Sequence, residues 1–419
     1  MSRRPTIVLH DAQLERLALG RHAAAAFAMD GARVLHVFVG ASIGRPTGAP
    51  VRASVLVAPE EHAELAAEDL DRELSSERGE PPLVAVLVGV SPGCRTVRAW
   101  LRASRVMLPC EILRVPTKSD LFSRSRGLLE TDALARRTVG IVGVGSGGSA
   151  IAVDLARAGV GRFVLVDPDR LELANLSRHV CGLSDLGRKK VDAVRDLLLD
   201  RNPHVAVTAH ALDVLADPAR ARDALADVDL LIGATDDPRS RGWINRLALA
   251  TGRTAIFGRA LTRAYGGDVL RMRPHQGPCV ACVYGAGLDR EEEITTEAQA
   301  ANAPAYVSAD DRAALVQPGL AADIAPIANM MVRLALLELS RGTNAAITTL
   351  DTDLTADLYL WANRRERAYT DWHPMAFDSR TPSILRWYGA SAERDPECIE
   401  CARHDTRAVE LQAGPPRWG

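Results

Sequence analysis

Short apolar runs alternate with amphipathic stretches through the middle of the chain. In each amphipathic stretch the apolar residues recur every three or four positions, which is the period of a helix. Alternation of strand-like and helical patterns predicts βαβ units and a mostly parallel, Rossmann-like α/β sheet flanked by helices. The strand-like runs are Val139–Val144, Phe163–Asp167, Val205–His210, Leu230–Ala234 and Thr254–Phe257.

The first 118 residues follow a different pattern. An alanine-rich stretch, Asp11–Met29, predicts a helix, and three apolar runs predict strands. A charged segment, Glu60–Glu80, separates the second run from the third. We therefore expect a smaller N-terminal α/β domain over residues 1–118 and a larger domain over residues 119–419. The three runs are Val34–Val39, Ala53–Ala58 and Leu83–Val90.

The pattern becomes less regular after Arg263. Further strand-like runs lead to a loop rich in Glu and Ala, Asp289–Pro304, and then to a strong helical pattern over Leu320–Arg341. A tail containing Pro and Trp follows. We expect one long helix to pack on the larger domain before the tail.

Composition narrows the class of protein. The chain of 419 residues is 47% hydrophobic and 25% charged, which is ordinary for a globular protein. A net charge of −2 argues against a nucleic-acid or membrane-surface partner. No apolar stretch has the length of a transmembrane helix, and Met1–Pro5 is not followed by the apolar region of a signal peptide. We expect a cytoplasmic protein.

Two of the cysteine spacings suggest a metal site. Seven cysteines include two Cys-x-x-Cys pairs, which in a reducing compartment are metal ligands more often than disulfides. Four thiolates form the closed ligand set of structural zinc. About 115 residues separate the pairs, far more than in a zinc ribbon, so four incidental thiols remain the alternative. The four residues are Cys279, Cys282, Cys398 and Cys401.

A glycine-rich turn follows the first regular strand. Gly143, Gly145 and Gly148 allow a tight turn into a helix whose backbone N–H groups can meet a phosphate. Asp167, at the end of the next run, is placed to bind ribose hydroxyls. This spacing fits NAD as well as ATP, and a turn that binds nothing is the third alternative.

Residues beyond the turn favour ATP. The stretch "NLSRH" supplies Asn175 and Arg178, "LGRKKV" supplies Lys190, and Asp236 and Asp237 follow a strand-like run. A cofactor that stays intact needs few cations, whereas cleavage of ATP requires cations for the departing pyrophosphate and a carboxylate for Mg²⁺. Two aspartates after a strand are also typical of a helix N-cap.

In combination these motifs resemble the ThiF/MoeB superfamily, the adenylation domains related to ubiquitin-activating enzymes. The resemblance covers about residues 121–354 and the C-terminal Cys-x-x-Cys pair. It implies ATP and Mg²⁺ as cofactors and zinc on the four cysteines. The implied phosphate cradle is Gly143, Gly145, Ser146 and Gly148, with Asp167 on the ribose, Asn175 and Arg178 on the phosphate chain, Lys190 on the α-phosphate, and Asp236 with Asp237 at the magnesium.

The resemblance also implies a homodimer. The segment "FSRSR" is similar to the family's Tyr-x-Arg-Gln segment, which places Arg124 as an arginine donated across the dimer to the partner's ATP. Phe122 and Ser125 replace the family's tyrosine and glutamine.

No thioester is expected on the enzyme. Thioester-forming members carry a cysteine in the crossover region, but Val283–Arg341 contains none, and Val316 and Gln317 occupy the usual position. We expect an acyl-adenylate that is passed to an outside nucleophile. Cys181, close after the "NLSRH" stretch, is the alternative nucleophile.

The N-terminal domain is loosely similar to JAB/MPN metallopeptidases. Those enzymes need a His-x-His-Pro zinc motif, yet no histidine occurs between His62 and His179. The likeness implies an inactive domain with a docking role. An unrelated α/β domain that clamps the substrate is the alternative.

The sequence thus predicts an ATP-dependent adenylyltransferase that activates the C-terminal carboxylate of a ubiquitin-like or sulfur-carrier protein and releases pyrophosphate. One alternative keeps the fold and adenylates a ribosomal peptide or a small or tRNA-borne carboxylate. Another is a binding module in which the nucleotide only regulates assembly.

Overall fold

Two compact units make up the chain, Met1–Ser123 and Arg124–Gly419. The computed structural model describes residues 4–29, 34–39, 51–62, 66–75, 82–91, 94–104, 106–115, 121–261, 264–285, 319–364 and 384–402. Its helices are α1 (Asp11–Leu14), α2 (Ala67–Ser75), α3 (Thr131–Leu134), α4 (Ser146–Ala158), α5 (Lys190–Arg201), α6 (Pro218–Ala224), α7 (Pro238–Thr251), α8 (Val280–Val283) and α9 (Ala321–Leu339).

The N-terminal unit is built on one mixed sheet. The hydrogen-bonded order is β7-β6-β5-β4-β2-β3-β1-β8. The side chains on one face of the sheet form an apolar cluster, and Leu70 of α2 packs on the other face against Leu87 and Trp100. The strands are β1 (Thr6–His10), β2 (Gly20–Met29), β3 (Val34–Val39), β4 (Val51–Pro59), β5 (Val84–Ser91), β6 (Cys94–Ala103), β7 (Val106–Pro109) and β8 (Glu111–Val115).

The sheet of the N-terminal unit closes on itself. Only Cys110 separates β7 from β8, so the two form one bent strand. The Cys110 N–H donates to Ala99 of β6, and the Glu111 N–H donates to Pro5 at the start of β1. Because successive N–H groups of a strand point to opposite sides, β6 and β1 flank this strand on both sides. A small barrel results, with the apolar cluster in its interior.

The predicted helix over Asp11–Met29 is wrong. Only Asp11–Leu14 is helical, and Gly20–Met29 is strand β2. Gly20, the first residue of β2, has φ +125°, which residues with a side chain rarely adopt. Strand β2 then pairs with β3 on one side and with β4 on the other. These tertiary hydrogen bonds override the helix propensity of the four alanines.

The second unit carries the expected α/β sheet. Its order is β11-β10-β9-β12-β13-β14-β15-β16, in which the first five strands are parallel and the last three join antiparallel. All five predicted strands of this region are present. The strands are β9 (Thr138–Val142), β10 (Arg162–Val166), β11 (Ala206–His210), β12 (Leu230–Gly233), β13 (Ala255–Ala260), β14 (Gly266–Met272), β15 (Leu358–Ala362) and β16 (Arg386–Ala390).

Helices cover both faces of this sheet. The long helix α9, predicted over Leu320–Arg341, packs with α4 on one face around Ile141 and Leu165. Helix α7 packs on the other face around Phe257. The predicted Asp289–Pro304 loop lies outside the described residues, as do Val316 and Gln317. Within the described chain no helix is both long and apolar enough to cross a bilayer.

Candidate functional site

A cavity of about 720 Å³ lies at the carboxyl ends of the parallel strands. Four parts of its wall lie at strand ends: Gly143, Gly145 and Ser146 follow β9, Asp167–Arg170 follows β10, Thr235–Asp237 follows β12, and Gly258–Leu261 lies at the end of β13. Ligands of open α/β sheets bind at this edge. The glycine-rich turn and the later charged motifs therefore line the same cavity.

Two glycines shape the turn after β9. Gly143 has φ +88°, which an L side chain rarely adopts, and its N–H donates to Val166 of β10. A Cβ added to Gly148 would lie 1.9 Å from the Gly143 carbonyl oxygen, so the first turn of α4 packs directly on the loop. Gly145 is the N-cap of α4, and its missing side chain leaves the cavity open there. The cavity is lined by Gly143, Gly145 and Ser146, whereas Gly148 is buried and does not line it.

Asp167 is buried at the end of β10. Its carboxylate accepts hydrogen bonds from the Val144 N–H at 2.8 Å and the Asp169 N–H at 2.9 Å. Burial raises the pKa of Asp167, and the positive charge of Lys190 opposes that shift. The carboxylate therefore fastens the glycine turn to the strand and also presents a polar group to the cavity.

Lys190 enters the cavity from the first residue of α5. Its side chain is 11% exposed and its Nζ lies 2.8 Å from Asp169 Oδ2. Its backbone N–H donates to the Asp169 carbonyl as well. The ammonium is thus held beside the turn of β10, where a bound anion would have to compete with Asp169.

The "NLSRH" stretch also contributes to the cavity wall. Asn175 Oδ1 accepts the Glu172 N–H at 3.0 Å and fixes a short 3₁₀ turn, and both Asn175 and Arg178 line the cavity. His179, which the sequence reasoning left without a role, is buried. Its Nε2 lies 2.8 Å from the Val144 carbonyl, and its Nδ1 accepts the Cys181 N–H at 3.1 Å. His179 thus connects the glycine turn, through Val144, to the backbone at Cys181.

The two aspartates after β12 differ in their contacts. Asp236 is exposed and lines the cavity. Asp237 caps α7 by accepting the Arg239 N–H at 2.8 Å, the alternative that a strand-end aspartate pair suggested, and it also lines the cavity. Arg241, buried in α7, donates from Nη1 to the Thr235 carbonyl at 2.9 Å and so fixes the loop that carries both aspartates.

Arg124 does not line the cavity. It lies in a 3₁₀ turn, Ser123–Ser125, where its side chain is exposed. The structure therefore does not bring this predicted site residue together with the others of its own chain.

Cys181 is buried beneath the site and does not line the cavity. Burial, reinforced by the charge of Asp185, raises the pKa of its thiol to about 12. A thiol attacks as its thiolate. These surroundings disfavour Cys181 as a nucleophile.

The four cysteines converge on one point. Cys279 Sγ lies 3.7 Å from both Cys282 Sγ and Cys398 Sγ, and Cys282 Sγ lies 3.5 Å from Cys401 Sγ. All four sulfur atoms lie within 4.8 Å of one another. Zinc–sulfur bonds of about 2.3 Å in a tetrahedron would separate the sulfurs by about 3.8 Å. The cluster is therefore compatible with zinc.

Neighbouring groups support this cluster. Arg394 Nε donates to Cys401 Sγ at 3.5 Å, which suits a thiolate, and Asn245 Oδ1 accepts the Val280 N–H at 3.0 Å between the first two cysteines. Arg246 of α7 pairs with Glu400 at 3.3 Å. The cysteine cluster thus joins the segment around α8 to the C-terminal segment.

Sequence reasoning missed four residues that shape the site: Asp169, His179, Arg241 and Arg259. The alternating acids of "VDPDR" are a signal that could have revealed Asp169, since every second residue at a strand end faces the same way. Arg259 gave no sequence signal, because its place depends on the pairing of β13 with β14.

Comparison with known proteins identifies the larger unit. The ThiF family matches residues 120–362. The chain is 37% identical over 152 residues to the adenylyltransferase and sulfurtransferase uba4 of Emericella nidulans, covering 34% of this chain and 31% of that protein. It is 29% identical over 174 residues to ubiquitin-like modifier-activating enzyme 5 of Caenorhabditis elegans, covering 38% and 41% respectively.

The Caenorhabditis briggsae enzyme of the same name is 26% identical over 222 residues and covers 50% of this chain and 51% of the enzyme. Among solved structures, the crystal structure of E. coli MccB aligns with a TM-score of 0.49 at 17% identity, covering 71% of this chain and 75% of that one. The chain spans about a third to a half of the length of these curated relatives. Because the family match extends over more than half of its residues, the chain belongs to the ThiF family.

Proposed function

We propose that the protein is an ATP-dependent adenylyltransferase that activates the C-terminal carboxylate of a ubiquitin-like or sulfur-carrier protein and releases pyrophosphate. One observation carries the proposal: Gly145, Lys190, Arg178 and Asp236 come from four separate segments and line a single cavity. Membership of the ThiF family and the names of the relatives support the same activity.

Different cavity residues have different roles in the proposed reaction. The N–H groups at the start of α4 bind phosphate oxygens, and Asp167 binds the ribose. Lys190 and Arg178 stabilise the negative charge that develops when the substrate carboxylate attacks the α-phosphorus and pyrophosphate departs. A magnesium ion would supply further charge neutralisation on the phosphates, and Asp236, with Asp237 beside it, would hold it.

The ion pair between Lys190 and Asp169 has a consequence for binding. Asp169 keeps the ammonium at the cavity wall without ATP, because the two groups lie 2.8 Å apart. When ATP binds, its phosphate oxygens either replace Asp169 as the partner of the Lys190 ammonium or bind the ammonium together with Asp169. Lysine suits this exchange because its flexible stem carries a compact charge.

We place zinc on the four cysteines as a structural ion and the protein in the cytoplasm, where thiols stay reduced. The active unit is proposed to be a homodimer in which Arg124 reaches the partner's ATP. The acyl-adenylate is proposed to be passed to an outside nucleophile, since the raised pKa of Cys181 disfavours a thioester on the enzyme.

Isothermal titration and pyrophosphate exchange test the proposal. We expect ATP with Mg²⁺ to bind more tightly than NAD, and Asp236→Asn to lower carboxylate-dependent ATP–pyrophosphate exchange by at least about 100-fold through lost metal binding. Arg253→Gln, on the C-terminal side of α7 and outside the cavity, is the matched control. Tight NAD binding without ATP binding would contradict the proposal.

A further inference from the structure

A second cavity, of about 450 Å³, lies near the amino end of β13. Gly252 and Thr254, which precede that strand, line it, whereas Gly258–Leu261 at the other end of the strand lines the first cavity. The six residues of β13 span about 20 Å, and no described residue lines both cavities. The second cavity is therefore separate from the one that holds the ATP-binding motifs.

Three arginines of this wall converge on one buried carboxylate. Glu338, in the last turn of α9, has a side chain that is 6% exposed. Its Oε1 accepts hydrogen bonds from Arg273 at 2.7 Å and from Arg341 at 3.1 Å, and Arg271 Nη1 lies 3.5 Å from the same oxygen. Asp351, which is exposed, pairs with Arg341 at 2.6 Å. The ion pairs thus hold the guanidinium groups in place without a ligand.

Arg271 is only partly satisfied by this network. Its side chain is fully buried, and its Nη2 donates to the Leu354 carbonyl at 2.7 Å and to the Ala356 carbonyl at 2.9 Å. Its Nε has no hydrogen-bond partner among the described residues, although buried donors of native proteins are almost always paired. Burial and the positive charge of Arg273 lower the pKa of Arg271. The wall therefore contains a buried positive charge that its neighbours compensate incompletely.

Arg273 has donors left for a ligand. Its side chain is 23% exposed, and its Nε and Nη2 donate to Glu338. Its Nη1 makes no hydrogen bond to a residue in the described part of the chain. A guanidinium group has five N–H donors in a planar fork, which matches the oxygens of an oxyanion. Arg273 can thus keep its bonds to Glu338 and bind an oxyanion at the same time.

The charges of the wall favour an anion. The three arginines that line the cavity outnumber the two lining acids, Glu338 and Asp351, by one positive charge. Asp357 lies near Arg271, but it does not line the cavity, and burial raises the pKa of its carboxyl. An oxyanion in the cavity would offset the excess charge of the wall.

The other polar lining residues favour phosphate over a carboxylate. Thr254, Gln276 and Thr355 add neutral hydrogen-bond donors to the wall. A phosphate group has oxygens on all sides, so it can bind a guanidinium and these donors together, whereas a carboxylate presents two oxygens on one side.

We propose that the second cavity binds a phosphate-type oxyanion, either inorganic phosphate or the phosphate group of a small phosphomonoester, and that Arg273 contacts it directly. The volume of about 450 Å³ leaves room for the organic part of a phosphomonoester. This site goes beyond the proposed adenylation, because it lies outside the cavity in which ATP would bind.

Calorimetric titration with three probes tests the site. The probes are sodium phosphate, glycerol 3-phosphate and sodium acetate, each at the same ionic strength. We expect at least one phosphate probe to bind the wild-type protein at least about tenfold more tightly than acetate, because charge-assisted hydrogen bonds form on more sides. The first cavity is also proposed to bind phosphate groups, so Lys190→Ala is titrated as well and should retain this binding.

Three variants locate the bound anion. Gln276→Glu leaves the ion pairs intact and should weaken phosphate binding at least about tenfold, because the added carboxylate repels the anion. Arg273→Gln should weaken it at least about tenfold through the lost charged donor. Arg333→Gln, an exposed position of α9 that lines neither cavity, makes the same change in net charge as either variant. It should bind phosphate within about twofold of the wild type, since exposed charges at a distance are screened.

The outcomes decide the location and the class of the ligand. Weak binding in Gln276→Glu and Arg273→Gln, with binding kept in Lys190→Ala and Arg333→Gln, supports the site. Tighter binding of glycerol 3-phosphate than of inorganic phosphate then assigns it to phosphomonoesters, and the reverse assigns it to free phosphate. No saturable binding of either phosphate probe by wild-type protein overturns the site, as does binding that Lys190→Ala loses and Gln276→Glu keeps. Equal losses in Arg333→Gln and Arg273→Gln, or acetate binding as tight as phosphate binding, also overturn it.

Discussion

His179 shows how one side chain can make the site sensitive to pH. Its Nε2–H donates to the Val144 carbonyl and its Nδ1 accepts from Cys181, so the folded protein requires the neutral ring. Burial lowers the pKa of His179 below its ordinary value of about 6.5. The unfolded chain therefore takes up a proton first as the pH falls.

We expect the free energy of unfolding to fall through His179 as the pH drops from about 6.5 towards the pKa of His179 in the folded protein. Above that range His179 should not change the free energy of unfolding. In His179→Gln, the midpoint of urea unfolding should change less between pH 7.5 and 5.5 than in wild-type protein. His22→Gln, in the other compact unit, should follow the wild type. An equal decline in His179→Gln and wild type would contradict this role.

At the scale of single residues, the sequence predicted which chain segments meet at the cavity but not how they are held. Lys190 and Asp236 follow from motif spacing, because the carboxyl ends of parallel strands meet at one edge. The Lys190–Asp169 pair and the Arg259–Asp268 pair depend on three-dimensional contacts. Those contacts could not be derived from local pattern.

At the scale of elements, two glycines of the strand–turn–helix unit β9–α4 have different roles, one in stability and the other in ATP binding. The Cβ of Gly148→Ala would meet the Gly143 carbonyl at 1.9 Å, whereas that of Gly145→Ala would meet no described atom within 4 Å. We expect Gly148→Ala to lower the free energy of unfolding by about 1–3 kcal/mol. Gly145→Ala should leave stability nearly unchanged and weaken ATP binding at least about tenfold, because its methyl group faces the cavity where a phosphate would lie.

Urea unfolding and ATP titration of both variants measure the difference. Gly182→Ala, another glycine with no described atom near an added Cβ, is a control for both measurements. If Gly145→Ala bound ATP as the wild type does, the phosphates would not rest on this turn.

The elements also show where pattern reasoning fails. The five parallel strands of the larger unit were predicted because buried parallel strands form continuous apolar runs. The segment Gly20–Met29 was misassigned because alanine favours a helix locally, and only pairing with β3 and β4 makes it a strand. Cys94–Ala103 was not predicted as a strand, since its arginines interrupt the apolar pattern.

At the scale of the whole molecule, the cysteine cluster joins positions 119 residues apart. We expect native mass spectrometry to find one zinc ion per chain, and Cys398→Ser to release it. Tm should fall by about 10 °C, because a structural metal contributes free energy of folding directly. Cys110→Ser, which alters a cysteine outside the cluster, should retain the ion. Unchanged folding after complete metal removal would contradict a structural role.

The proposed homodimer makes a prediction about mixed subunits. Arg124→Ala chains and Lys190→Ala chains should each be inactive, but a mixture should regain up to about a quarter to a half of wild-type exchange activity, because a mixed dimer assembles one intact site. Rescue requires subunit exchange, which mass spectrometry of differently tagged chains can verify. Exchange without rescue would show that Arg124 does not act across subunits.

The closed sheet of the N-terminal unit has a consequence for the kinetics of folding. In the closed sheet Thr6 of β1 pairs with Glu111 of β8, so the hydrogen bonds of the first strand are complete only after the last strand has paired with it. Contacts between such distant positions slow folding, because the intervening chain must be ordered first. During synthesis β1 stays unpaired on this side until residue 115 has been made, so the interval in which a chaperone could bind the nascent unit is set by its own topology.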